Sequence, residues 1–82
     1  MINIDHDSAV PVWRQVAAWL ADQIKDAGQR MPSESTIEQE LGVSRGTVRH
    51  AYRFLADQGW VVIVTGKGAF AANPLPEGRP QV

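Results

Sequence analysis

The chain has no cysteine, which excludes a disulfide framework, a cysteine nucleophile and a zinc finger of ordinary type. It has two histidines, His6 and His50, too few for a metal site built from protein ligands alone. No apolar run approaches the roughly 20 residues that cross a membrane. The N-terminus lacks a basic region followed by an apolar block, so no signal peptide is read and the default location is the cytoplasm. There is no phosphate-binding glycine loop, no metal-ligand spacing and no Ser/His/Asp set in a plausible catalytic arrangement. The carboxylates fall on predicted helix surfaces, so the expectation is a binding domain without a cofactor, not an enzyme. Net charge is scarce as well: eight Lys and Arg against nine Asp and Glu leave −1 at pH 7.

What is present is enough for one small domain. The 82 residues are 44% hydrophobic, which gives a workable but thin core. The charge is unevenly spread. Residues 1–44 carry three basic and seven acidic side chains, whereas residues 45–67 carry four basic ones (Arg45, Arg49, Arg53, Lys67) and one acidic one, Asp57. A local patch of +3 therefore sits on an otherwise acidic chain, although nucleic-acid readers are usually basic overall. Its affinity for a polyanion is expected to be modest per subunit and strongly salt-dependent.

The patch coincides with the most informative stretch, Gly42 to Leu55. Gly42 suits the left-handed residue that ends a helix, and Ser44 is a good N-cap for the next one. Val48, Ala51, Tyr52 and Leu55 then recur at helical spacing and predict a buried stripe. Arg45, Arg49 and Arg53, four apart, fall on another face with the Ser44 and Thr47 hydroxyls nearby. The segment before it, Met31 to Leu41, reads as a short helix with Ile37 and Leu41 buried. Either Ser33 or Ser35 caps it, and Ser35 with Glu38 fits a capping box. Two helices joined at a tight glycine turn, the second one basic, form a helix-turn-helix pattern. Such a basic face suits the major groove of DNA, where Arg pairs with guanine and hydroxyls take phosphates.

The remaining segments assemble around this pair. Residues 1–10 have no helical period and read as an arm in which Ile2 and Ile4 can dock. Pro11 suits a first helical turn, and Trp13, Val16, Ala17, Leu20, Ile24 and Ala27 predict an amphipathic helix of about four turns closed by Gly28. Trp19 and Val12 lie off that stripe, so Trp19 is either a ring flat on its own helix or an anchor for a partner. Residues 29–32 read as a plain connection. Asp57-Gln58-Gly59 closes the third helix. Residues 60–64 read as a strand apolar on both faces, with Trp60, Val62 and Val64 on one side and Val61 and Ile63 on the other. Thr65-Gly66-Lys67-Gly68 is a turn and residues 69–72 a second strand, giving a hairpin with Lys67 between two glycines. The domain is thus expected over residues 11–72. The tail, 73–82, has three prolines and reads as flexible or polyproline-like.

Taken together, five pieces in this order resemble the DNA-binding domain of the GntR family of bacterial transcription regulators. They are Ser8 to Ala17, Met31-Pro32-Ser33-Glu34, Leu41 to Arg49, Gly59-Trp60-Val61 and Gly66 to Phe70. The resemblance runs from about Ile4 to Phe70. It implies a mainly α, α+β winged helix-turn-helix: three helices and a two-stranded wing that bind a palindromic operator as a dimer. It further implies that Arg45, Thr47 and Arg49 read or clamp the major groove, that Ser33 meets a phosphate, and that Gly66 and Gly68 form a wing tip at the minor groove. Ser44 and Thr47 are expected at phosphates, Arg53 on the same DNA-facing side of the helix, Lys67 in the minor groove, and His50 at the helix face near DNA or idle. Three departures stand out. Ser35 replaces the usual Arg, an important DNA contact, which should weaken binding or change the preferred sequence. Trp19, Val62 and Val64 replace usual polar residues and are candidate dimer or protein-partner contacts. The family's larger effector-binding domain is not in these residues, so the sequence is a piece of a longer protein or a stand-alone domain. The expected function is a sequence-specific repressor; the alternative is a winged-helix protein-interaction module.

Overall fold

The structure is a computed structural model and describes residues 3–82. Its elements run α1 (Val12–Gln23), α2 (Glu34–Leu41), α3 (Arg45–Asp57), β1 (Val61–Val64) and β2 (Gly68–Ala71). The two strands pair antiparallel, with Val61 opposite Ala71 and Val64 opposite Gly68. The expected winged helix-turn-helix is therefore the observed architecture.

The core lies where α1 and α2 close on α3. Val16, Leu20, Ile37, Val48 and Leu55 are fully buried there, flanked by Ala17, Ala51 and Tyr52. Each sits at the helical spacing that the sequence presents, and burying a side chain of this size is worth about 1.5–3 kcal/mol. No charged side chain is buried among the described residues, and the buried Tyr52 keeps a hydrogen bond for its hydroxyl, so this core holds no misplaced charge.

Helix ends follow side-chain chemistry. Pro11 is the N-cap of α1, one position ahead of the expected first turn, and its carbonyl accepts from Arg14 and Gln15. α1 stops at Gln23 rather than running to Gly28. The reason is Gln29, whose side chain intercepts the backbone: Oε1 accepts from the Lys25 and Asp26 amides (2.8 and 3.1 Å) and Nε2 donates to the Gln23 carbonyl (2.7 Å). Ile24 still packs against the core from an extended residue, but Ala27 is exposed. Of the two candidate caps of α2, Ser33 is the one used; its Oγ accepts from the Thr36 amide at 3.2 Å. Ser35 lies inside the helix, and Glu38, its expected capping-box partner, pairs with α3 instead. Gly42 takes φ 65, as the turn requires, and donates to the Glu38 carbonyl at 2.9 Å. Ser44 caps α3 in the same geometry as Ser33, accepting from the Thr47 amide at 3.2 Å.

α3 ends at the expected place in a Schellman turn. The Trp60 amide donates to the Leu55 carbonyl and the Gly59 amide to that of Ala56 (3.0 and 2.9 Å), with Gly59 at φ 83. Trp60 is consequently part of the turn and buried, not the first residue of β1. This corrects the expected strand face: Trp60 is buried while Val62 is exposed, because β1 leaves the body after Val61. Val62 instead pairs across the strands with Phe70, and Ile63 with Ala69.

The connection 29–32 is more than a link. The Ala71 amide donates to Gln29 (2.7 Å) and the Met31 amide to Ala69 (2.9 Å), with Arg30 bridged to Phe70. β2 thus has β1 on one side and this segment on the other. The arm is held by Gln15, which exchanges hydrogen bonds with the Asp5 backbone (2.8 and 2.7 Å). Ile4 packs on the core, whereas Ile2 lies outside the described residues. The tail turns back on the domain: Leu75 packs against the core, and the Gln58 amide group pairs with the backbone of Gln81 (2.9 and 2.8 Å).

Candidate nucleic-acid interface

The caps and turns above fix where α3 points. Its apolar side is spent on the core, so Arg45, Arg49 and Arg53 emerge on the outside and all three are exposed. Two of them are anchored. Arg49 Nε donates to Glu34 Oε2 at 2.8 Å, and Arg45 Nε lies 3.5 Å from Glu38 Oε2. Both arginine side chains remain 59% exposed. The anchor takes Nε, and the terminal nitrogens of each fork make no hydrogen bond or ion pair among the described residues; theirs is the edge a guanine or phosphate would take. Exposed ion pairs of this kind add little stability; their effect is on direction.

A groove separates α3 from the hairpin. Pro32, Ser33, Glu34 and Ser35 line one end, Arg49, Tyr52 and Arg53 line the helix side, and the hairpin residues from Ile63 to Ala69 line the other wall. Ser33, Ser35, Arg49, Arg53, Gly66, Lys67 and Gly68 are therefore brought together as one surface. Ser44, Arg45 and Thr47 lie beyond it at the open end of α3, where the Ser44 and Thr47 hydroxyls are bonded to each other at 2.9 Å. His50 does not join the group. Its ring stacks on Trp13 with centroids 4.0 Å apart, on the flank where α1 meets α3.

The hairpin tip is tight. The Lys67 amide donates to the Val64 carbonyl at 3.0 Å, with Gly66 at φ 80 and Gly68 at φ 111. A side chain at Gly66 would be strained in this conformation even though the space around it is open. Opposite the tip, the Tyr52 hydroxyl donates to the Pro32 carbonyl and ties α3 to the start of α2. Burial, and secondarily the nearby Glu34 carboxylate, push the Tyr52 phenol well above its ordinary range, so it stays a neutral donor.

The candidate partner contacts divide. Trp19 is half-buried and packed against the core. Val62 is 51% exposed beside Phe70, whereas Val64 is half-buried on the groove side. Among the described residues no His, Asp and Glu cluster is placed to hold a metal, and no helix is long and apolar enough to cross a membrane.

Two features of the domain escaped the residue-by-residue reading. Glu34 and Glu38 stand four apart on α2, the same spacing as Arg45 and Arg49 on α3. That matched spacing on either side of the glycine turn was a usable signal. Arg30 had none, because nothing local marks its segment as a strand.

Comparison with known proteins places this geometry. The sequence pattern of bacterial regulatory proteins of the gntR family matches residues 10–71. The HTH-type transcriptional repressor NagR of Bacillus subtilis is 32% identical over 80 residues, covering 93% of this chain and 33% of NagR. The chain thus spans about a third of that relative's length. Among solved structures, the DNA-binding domain of AraR in complex with operator ORE1 superposes with a TM-score of 0.71 and 32% identity, covering 88% of this chain and 95% of that one. YtrA from Sulfolobus acidocaldarius, a GntR-family transcription factor, gives 0.73 and 30% over 87% of this chain and 79% of its own. With its three helices, glycine-tipped wing and arginine-bearing third helix, the chain belongs to the GntR family of bacterial regulatory proteins.

Proposed function

We propose that this domain is the sequence-specific DNA reader of a cytoplasmic transcription regulator, a repressor that occupies a palindromic operator as a dimer and blocks access to a promoter. The observation that carries the reading is the pair of guanidiniums held by Nε on the outer face of α3, with Lys67 across the groove. In this reading Arg45 and Arg49 enter the major groove and address guanine or phosphate. Ser33, Ser44, Thr47 and Arg53 take phosphates along the flanking backbone, and Lys67, between Gly66 and Gly68, reaches the minor groove. Ser35, at one end of the groove, offers only a short hydroxyl, and His50, stacked on Trp13, borders the interface. The AraR domain, solved with an operator, and the repressor NagR support the assignment by likeness.

The decisive experiment is selection of duplexes from a random pool at physiological salt. A two-fold-symmetric product is expected, and Arg49→Ala should weaken its binding by about 1–3 kcal/mol while relaxing one base position. No enriched sequence, together with unchanged low-salt affinity in Arg49→Ala, would overturn the reading. Exposed Val62 and Ile63 favour a protein-interaction module as the second reading. Amide shifts on adding duplex separate the two: a DNA reader shifts at residues 44–53 and 66–68.

A further inference from the structure

Arg30 belongs to no helix or strand of the domain and has no part in the site described above, yet three contacts converge on it. Its Nη2 donates to the backbone carbonyl of Lys67 at 3.3 Å. Its guanidinium lies over the Phe70 ring, 5.8 Å from the centroid. Its backbone forms the bridge to Phe70, between the Met31–Ala69 and Gln29–Ala71 hydrogen bonds. The side chain therefore starts from the body of the domain, runs along the outer face of β2 and ends on the tip. The tip gains from such a strut, because both neighbours of Lys67 are glycines and the turn beyond the Val64–Gly68 strand pair is closed by the Lys67–Val64 bond.

We propose that Arg30 is a positioning residue for the wing: it fixes where Lys67 is presented, and so sets the wing's share of DNA binding without itself touching DNA. This rests on the DNA reading above. Planarity is what the role requires. A guanidinium can lie flat on Phe70 and donate sideways to a carbonyl at once, whereas a lysine ammonium keeps the charge but not the fork. The rival explanation, that Arg30 is simply another cation for a phosphate, makes the opposite prediction for lysine.

The test compares Arg30→Lys, Arg30→Met and Lys67→Ala, with the Arg30→Met/Lys67→Ala double variant, on the duplex selected by the wild-type protein. Both Arg30 variants should lose affinity by about fivefold, the size of one hydrogen bond's net contribution, and close to the loss in Lys67→Ala. Combining Arg30→Met with Lys67→Ala should cost little more than either alone. In the free protein, nitrogen relaxation of residues 65–68 should report a looser tip in both Arg30 variants, with the helices unchanged. Wild-type affinity in Arg30→Lys, additive losses in the double variant, or an unaltered tip would each overturn the proposal. If the wild-type protein selects no duplex, the DNA reading fails separately, and the relaxation data alone decide whether Arg30 holds the tip.

Discussion

Glu34 serves two neighbours at once. It anchors Arg49 by Nε and adds to the burial that keeps the Tyr52 phenol protonated. On the proposed DNA face an acidic residue would cost affinity for any phosphate, and what Glu34 would offer in return is the aim of Arg49. Glu34→Gln should therefore raise affinity for random duplex and lower the ratio of specific to random binding, each by a few-fold; competition titrations at two salt concentrations measure both. Tyr52 gives a separate expectation. Its folded pKa is raised above the unfolded value of about 10, so the unfolded chain loses the phenolic proton first. Stability is insensitive to this group below about pH 10 and falls as the pH climbs above it. Urea melts at pH 8 and 11 should show that decline in the wild type. Tyr52→Phe should lack it, at a cost of about 1 kcal/mol at neutral pH for the lost bond to Pro32.

At the scale of elements, α2 and α3 begin alike: a serine at the N-cap, a threonine three residues on, and the same pair of hydrogen bonds in each. Ser33→Ala and Ser44→Ala should each destabilise the domain by about 1 kcal/mol, whereas Ser35→Ala should leave stability nearly unchanged; chemical denaturation distinguishes them. The comparison also marks what was legible beforehand. Ser44, Gly42, the 48–51–52–55 stripe and the hairpin tip act through neighbours in sequence, and local spacing was enough to place them. Ser33 against Ser35 stayed open, because both are chemically competent and only Glu38's engagement with Arg45 removes the capping-box alternative. The early end of α1 and the strand-like 29–31 segment depend on Gln29, whose side chain reaches back six residues while its backbone pairs with a strand forty residues ahead in the chain. No periodicity records such long-range pairing. Trp60 departs for a local reason: its β-rich neighbours suggest a strand, but the Schellman turn with Gly59 claims it.

For the molecule as a whole, the exposed apolar residues of the wing do not add up to one patch. Val62 lies beside Phe70, while Ile63 lines the groove on the opposite wall. Splitting them leaves neither side with the contiguous apolar area that a stable dimer uses. Sedimentation at tens of micromolar should accordingly give a single 9.0 kDa species in the free state and two copies on a symmetric duplex. Val62→Thr should leave both unchanged, whereas Trp19→Ala should lower stability because its ring covers the core. A free dimer abolished by Val62→Thr would reverse this expectation. The pairing of β2 with both β1 and the segment ahead of α2 has one more consequence. Finger and rod are stitched to a common frame, so the distance between their two footprints is set by protein and not by nucleic acid. Such a reader behaves as a fixed gauge: one inserted base pair between the two footprints should be rejected about as firmly as a wrong base.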